Sequence, residues 1–173
     1  MHREAGDILH TYVQLTRSSD WIDAIDFTDT DSAKAAIAAE FDGWAAELTA
    51  LITDGETALV PRRIFTLPND HRWDRTPGVT LVGDAAHLMP PSGDGANLSM
   101  FDGAELARAI ADHRGNIDEA LSGYEKAMFL RSETVAIQSH ETLDLCLGER
   151  SPFGMIDLIT GVTPASSGDR LSQ

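Results

Sequence analysis

Apolar and polar positions along the chain alternate between two kinds of pattern. The sharpest is "PGVTLVGD", residues 77–84, a short β-branched run entered through Pro77-Gly78 and left at Gly83. It is apolar without alternation, which predicts a strand buried on both faces, as in the parallel sheet of an α/β protein. "DILHTYVQLT" (7–16) and "RRIFTLP" (62–68) read as two further strands, the second closed by Pro68 and the turn residues Asn69 and Asp70. Helical spacing governs the rest. "DSAKAAIAAEFDGWAAELTALIT" (31–53) is Ala-rich, with Asp31 or Ser32 as N-cap and Gly43 as a break between two helices. Its Ala36, Ile37, Phe41, Trp44, Leu48 and Ile52 are expected in core packing. A helix is predicted from about Ala96 to Ala111, and another from Asn116, where Glu119 is placed for a capping-box exchange. In that last helix Ile117, Leu121, Tyr124 and Met128 fall on one face, a stripe that reads as core.

These elements are lopsided. A single buried strand leaves both of its edges without hydrogen-bond partners, so this pattern belongs to part of a larger α/β fold.

Composition narrows the function classes. The 173 residues suffice for one domain, and 42% hydrophobic with 24% charged residues is ordinary for a globular chain. Thirteen Lys and Arg stand against 28 Asp and Glu, a formal charge of −15 that opposes phosphate backbones and anionic lipid. No nucleic-acid or membrane partner is therefore expected. The one cysteine, Cys146, excludes an internal disulfide and reads as a small packed hydrophobe. No stretch reads as a signal peptide or a membrane span, which makes cytoplasmic the expected location. The tail "GVTPASSGDRLSQ" reads as flexible.

Chemistry concentrates in "GDAAHLMPPSGDGANLSMFDGAELARAI", residues 83–110. Gly83 lets the backbone leave its strand, and Asp84 projects a carboxylate from the strand's C-terminal end, where α/β sheets bind ligands. Pro90 and Pro91 stiffen the loop, while Gly93 and Gly95 allow close backbone approach. Ala96 and Asn97 enter the helix, whose first amides carry a partial positive charge. A ligand with a polyol for Asp84 and an electron-rich ring edge for the amides satisfies both ends.

This stretch resembles the second FAD-binding motif of the class A flavoprotein monooxygenases, which include aromatic hydroxylases and tetracycline-inactivating monooxygenases. The matching positions are Gly83, Asp84, Ala85, Ala86, His87, Pro90, Gly93, Gly95, Asn97 and Asp102. "FDGWAAEL", "RRIFTLP" and "YEKAMFLRS" are similar to the closing third of the tetracycline-type enzymes. The resemblance implies a Rossmann-like FAD-binding domain in which Asp84 holds ribityl hydroxyls. It implies that the backbone of Gly95, Ala96 and Asn97 faces the flavin N1–C2=O edge, with Pro90 and Pro91 beside the ring and substrate pocket. It also implies reduction by NAD(P)H and oxygen transfer to an aromatic or polycyclic substrate through a flavin C4a-hydroperoxide. Residues 1–60 then correspond to the end of the substrate-domain sheet and connecting helices, 61–150 to the C-terminal part of the FAD-binding domain, and 151–173 to a helix end and tail.

The family's N-terminal Gly-x-Gly-x-x-Gly turn and central Asp-Gly motif are absent. The chain therefore reads as the C-terminal half or less of such an enzyme, with a second chain or a further copy as the expected partner. Without the pyrophosphate turn, several charge-assisted bonds of about 1.5–3 kcal/mol each are lost. The isolated chain is expected to bind FAD weakly or not at all. A non-catalytic interaction module derived from such an enzyme is the alternative.

Other chemistry is weaker. "PSGDG" is not a Gly-x-Ser-x-Gly elbow, so Ser92 is a poor nucleophile candidate. Asp84 and His87 lack a third metal ligand, and His87 reads as a structural hydrogen-bonder. His71, His113 and His140 read as surface or cap residues, and Asp94 as pointing to solvent. Asp102 and Glu105 are expected in the first turns of their helix, where acidic side chains suit the dipole.

Overall fold

The computed structural model describes residues 2–161, in two compact units that divide between Arg63 and Ile64. The flexible-tail reading falls on residues 162–173, outside the described part, with only its first residue, Gly161, inside it.

In the first unit, β1 (His2–Arg3) pairs antiparallel with β2 (Leu9–His10). Helix α1 (Ser19–Asp23) is capped by Ser18 Oγ, which accepts from Trp21 N. Helix α2 (Thr30–Ala38) is capped two residues before the first expected cap, Asp31. Asp29, not Asp31 or Ser32, accepts from Ser32 N at 3.2 Å and from Ser32 Oγ at 2.7 Å. A 3-10 turn (Ala39–Phe41) and Gly43, at φ +80°, separate α2 from α3 (Ala46–Thr53). Ala33, Ile37 and Ile52 are buried, whereas Trp44 and Leu48 are exposed, which corrects their assignment to core. Trp44 instead meets Phe41 edge-on at 5.1 Å.

The second unit is built on one long helix. After α4 (Asp84–His87) and α5 (Gly95–Asp112), a turn closed by Asn116 N donating to His113 O leads into α6 (Ile117–Leu147). Asn116 Oδ1 accepts from Glu119 N at 3.3 Å, and its side-chain amide donates to the Glu119 carboxylate at 2.8 Å; the Asn116 backbone N–H goes to His113 O instead, so half of the expected capping box forms. At 31 residues, α6 is about 46 Å long. Helix α7 (Phe153–Thr160) ends the described chain at Gly161, in the left-handed region.

The predicted stripe on α6 is buried at Leu121, Tyr124 and Met128 but exposed at Ile117, in the first turn. Ala86, Tyr124 and Met128 form one core cluster, against which Trp73, Val82, Leu106, Ala109 and Phe129 pack. A second cluster joins Met89 to Leu98 and Ala136. Residues 72–78 are strapped onto α6 by polar groups. Arg72 pairs with Glu133 at 2.7 Å, Arg75 with Asp118 at 2.7 Å and with Glu125 at 3.4 Å, and Asp118 accepts from Gly78 N at 2.9 Å. Trp73 adds an edge-on contact with Phe129, their rings 4.7 Å apart.

The strand expectations need correction. Among the described residues β1 and β2 are the only strands, and neither 62–68 nor 77–83 belongs to a sheet. A strand exists through its ladder, and no neighbouring segment here supplies one. Nor is 79–82 buried on both faces: Val82 packs on the α6 core while Val79 is 55% and Leu81 38% exposed. Cys146 is exposed rather than packed. Among the described residues, no helix is long and apolar enough to cross a membrane.

Candidate functional site: the loop between α4 and α5

Gly83 opens the site. Its φ of +65° and ψ of −143° lie where side chains other than glycine's are rare. Its carbonyl accepts from Ala86 N at 2.8 Å and His87 N at 3.0 Å, closing the single turn of α4. Asp84, first in that turn, is exposed, and its carboxylate has no hydrogen bond or ion pair among the described residues. His87, three residues on, is buried.

From His87 the chain is pinned at successive points. Leu88 N donates to Asp84 O at 3.0 Å, and Leu88 O accepts from Leu67 N at 2.8 Å. Met89 is buried, with Ser139 Oγ donating to its sulfur at 3.4 Å. Pro90 is wholly buried in the chain itself, so Pro91 is the member of the pair that faces outward. Ser92 Oγ and Ser139 Oγ lie 2.8 Å apart. The loop is thus anchored from beneath by α6, and beyond Ser92 it is open. Gly93 has φ +101°, and a Cβ on Gly93 or on Gly95 would meet nothing within 4 Å.

Helix α5 begins without a side-chain cap. Its first internal bond runs from Leu98 N to Asp94 O at 2.9 Å, so the amides of Gly95, Ala96 and Asn97 are unused within the described chain. Asp94 is exposed, as are Ala96 and Asn97. Free amides at a helix start carry partial positive charge. Beside them are open space where two glycines lack Cβ atoms, and an unpartnered carboxylate one turn from the loop's other end. This donor and acceptor set fits a flavin, which presents an electron-rich ring edge and a hydroxylated arm.

Beneath the loop lies a network in which His87 is the expected structural hydrogen-bonder and Asp102 departs from its expected role. Asp102 is the eighth residue of α5, not part of its first turns, and has no exposed surface. Its Oδ2 accepts from His87 Nε2 at 2.5 Å and its Oδ1 from Arg131 Nη2 at 2.6 Å. A carboxylate only accepts, so the His87 proton sits on Nε2. The guanidinium of Arg131 stacks 4.8 Å above the Phe101 ring. Glu105 lies outward and pairs with Arg108. Arg131 and Ser139 were not singled out from sequence, although Ser139 continues the buried face of α6 at helical spacing from Met128 and Arg131, half-buried, lies at its edge. Tyr124, beside this network, donates to Leu81 O at 3.4 Å. Burial, with Asp102 nearby, pushes its phenol up to about 12.

His113 Nδ1 and His140 Nδ1 each contact a carbonyl one turn back, and His71 lies beside Trp73. Among the described residues, no three His, Cys, Asp or Glu side chains are placed to hold a metal ion.

Residues 52–136, which include this whole loop, match the FAD binding domain family. Several flavoprotein oxygenases are similar over shorter or longer stretches. The FAD-dependent monooxygenase adaC of Aspergillus niger is 35% identical over 65 residues, 37% of this chain and 16% of its own length. The FAD-dependent urate hydroxylase of Mycolicibacterium vanbaalenii is 31% identical over 110 residues, 62% of this chain and 27% of its own. A dual O-methyltransferase/FAD-dependent monooxygenase of Cercospora beticola is 29% identical over 120 residues, 67% of this chain and 13% of its own. The loop thus lies within a stretch similar to an FAD binding domain. More narrowly, the named relatives it resembles are FAD-dependent oxygenases, and the chain spans about a quarter or less of their length.

Proposed function

We propose that residues 83–97 are the flavin-facing part of the FAD site of an NAD(P)H-dependent monooxygenase acting on an aromatic or polycyclic substrate, tetracycline-like rings included. The carrying observation is the set of three free amides at the start of α5, in one loop with the unpartnered carboxylate of Asp84. Asp84 accepts from the hydroxylated arm of the cofactor. Gly95, Ala96 and Asn97 donate to the ring edge, whose developing negative charge the helix dipole favours. Gly83 and Gly93 give the backbone its turns, and Pro91 faces the ring with Pro90 supporting it from below. Bound FAD supplies the redox and oxygen-activating chemistry. The chain's own task is to orient that ring and exclude water from it.

In this reading residues 61–150 complete a Rossmann-like sheet with strands contributed by another part of the protein, a second chain or a further copy. Residues 1–60 adjoin the substrate domain. The exposed Val79, Leu81 and Phe65, all in the second unit, favour such pairing. Ring hydroxylation agrees with the urate hydroxylase among the relatives.

Reconstitution tests the proposal. The full chain is co-expressed with the N-terminal segment of the Mycolicibacterium enzyme that precedes the matched region. A yellow complex that oxidises NADPH supports the monooxygenase reading. Colourless partners, with no saturable quenching of FAD fluorescence, overturn it.

A further inference from the structure

We propose that His87 and Asp102 are positioning residues, forming a buried lock that sets the separation between the Asp84 carboxylate and the first-turn amides of α5. The inference rests on the flavin reading for its purpose, but its geometry stands apart from any cofactor.

Two contacts couple α4 to α5. At one, Gly83 approaches Ser99 so closely that an added Cβ would stand 3.1 Å from its Oγ. Ser99 Oγ in turn donates to Gly95 O at 2.8 Å, tying this contact to the first residue of α5. At the other, His87 Nε2 donates to Asp102 Oδ2 at 2.5 Å. Gly83 and His87 bracket the single turn of α4, with Asp84 between them. Ser99 and Asp102 are three apart on α5, one turn in from its free amides. Two points fix a register where one would leave a pivot.

The His87 contact is specific. Its Nδ1 is buried with no hydrogen-bond partner among the described residues, so Nε2 is the ring's one polar anchor. Asp102 has no exposed surface, and its other oxygen, Oδ1, pairs with Arg131 Nη2 at 2.6 Å. A neutral α4–α5 contact of the same size would pack equally well but would not fix the ring's direction. The site needs that direction because Asp84 leaves the same one-turn helix three residues earlier. A shift of His87 therefore carries Asp84 with it, and such small displacements are costly in positioned sites.

The test compares His87→Leu, His87→Gln and Asp102→Asn with the unaltered full chain. Glutamine places an amide N–H near the position of Nε2, whereas leucine fills the volume without a donor. Amide exchange is read at Ala86, His87, Leu88 and Leu98, whose bonds close α4 and the start of α5, against Met128 in the middle of α6. His87→Leu and Asp102→Asn are expected to speed exchange at the first four at least tenfold while leaving Met128 near its original rate. His87→Gln is expected to restore protection. In the reconstituted yellow complex, His87→Leu should weaken FAD binding at least tenfold and shift its visible absorption, again with rescue by glutamine. Unchanged exchange at Ala86–Leu88 in His87→Leu overturns the lock, and so does equal acceleration at Met128 or failure of glutamine to rescue. His87→Asn, too short to reach Asp102, gives the same comparison if the leucine variant does not fold. Should the unaltered complex take up no flavin, the proposed function falls, while the exchange measurements still decide the lock.

Discussion

A methyl group on Gly83 would stand 3.1 Å from Ser99 Oγ and 3.3 Å from Ser99 Cβ, across the junction of α4 and α5. Glycine is required there twice, by this crowding and by a φ of +65° with ψ of −143°. Gly83→Ala is expected to destabilise the chain by on the order of 1–3 kcal/mol, read as a lowered urea midpoint with unchanged slope. Ser99→Ala in the same chain should recover only part of the loss. It removes the hydroxyl contact and leaves both the Cβ contact and the backbone strain.

Met128 anchors the core that holds this junction. It has no exposed surface and packs with Ala86 and Tyr124 under Trp73 and Phe129. Met128→Ala removes buried methylene and sulfur contacts and leaves a cavity, a change worth roughly 2–5 kcal/mol. Met128→Leu, close in volume, should cost less than about 1.5 kcal/mol. Thermal melts of the two variants check the ranking. Equal losses would mean that this face of α6 is loosely packed.

Tyr124 gives the core a pH dependence with a definite sign. Burial raises its folded-state pKa to about 12, against 10.0 for the free side chain. The folded chain therefore keeps the phenolic proton where the unfolded chain has lost it. The stabilisation is fully present below pH 10 and is lost as pH rises through about 12. Tyr124→Phe should flatten this part of the stability profile, and the difference between the two profiles isolates the phenol from the other groups that titrate in base. Parallel profiles would show that Tyr124 ionises as freely in the fold as in water.

How much of this was legible beforehand follows from how local each signal is. Helix α5 and the start of α6 fall close to their sequence-predicted positions because periodicity and turn residues, with Asn116 as the cap of α6, lie within a few positions of one another. Asn116 and Glu119 are three apart, and the Asn116 side chain caps the Glu119 N–H as their spacing implies. The loop between α4 and α5 was legible for the same reason, since its glycines and prolines act on their own backbone. The strand expected at 77–83 does not form, because a strand needs partners that no local pattern guarantees. Trp44 and Cys146 are apolar in type, but their surroundings leave them exposed. The role of Asp102 depends on Arg131, 29 residues away, and on burial that an i, i+3 reading of one helix does not reveal. The acidic side chain looked like a dipole partner, while in the structure it is a buried acceptor joining residues of three helices.

Asp84 separates function from stability most cleanly. Its side chain is exposed and unpartnered among the described residues, so Asp84→Asn should leave the unfolding midpoint within about 0.5 kcal/mol of the original. If the carboxylate holds the hydroxylated arm of the cofactor, replacing it with an amide replaces a charge-assisted bond by a neutral one. The loss is about 1–2 kcal/mol, or roughly five- to thirtyfold in FAD affinity of the reconstituted complex. Alanine removes the acceptor altogether and should weaken binding further, with the fold still intact. The measurement is FAD fluorescence quenching on both variants alongside a melt. Full affinity with alanine at position 84 would place the arm of the flavin elsewhere. A collapsed melt with asparagine would instead give Asp84 a part in holding α4 together, against its exposure.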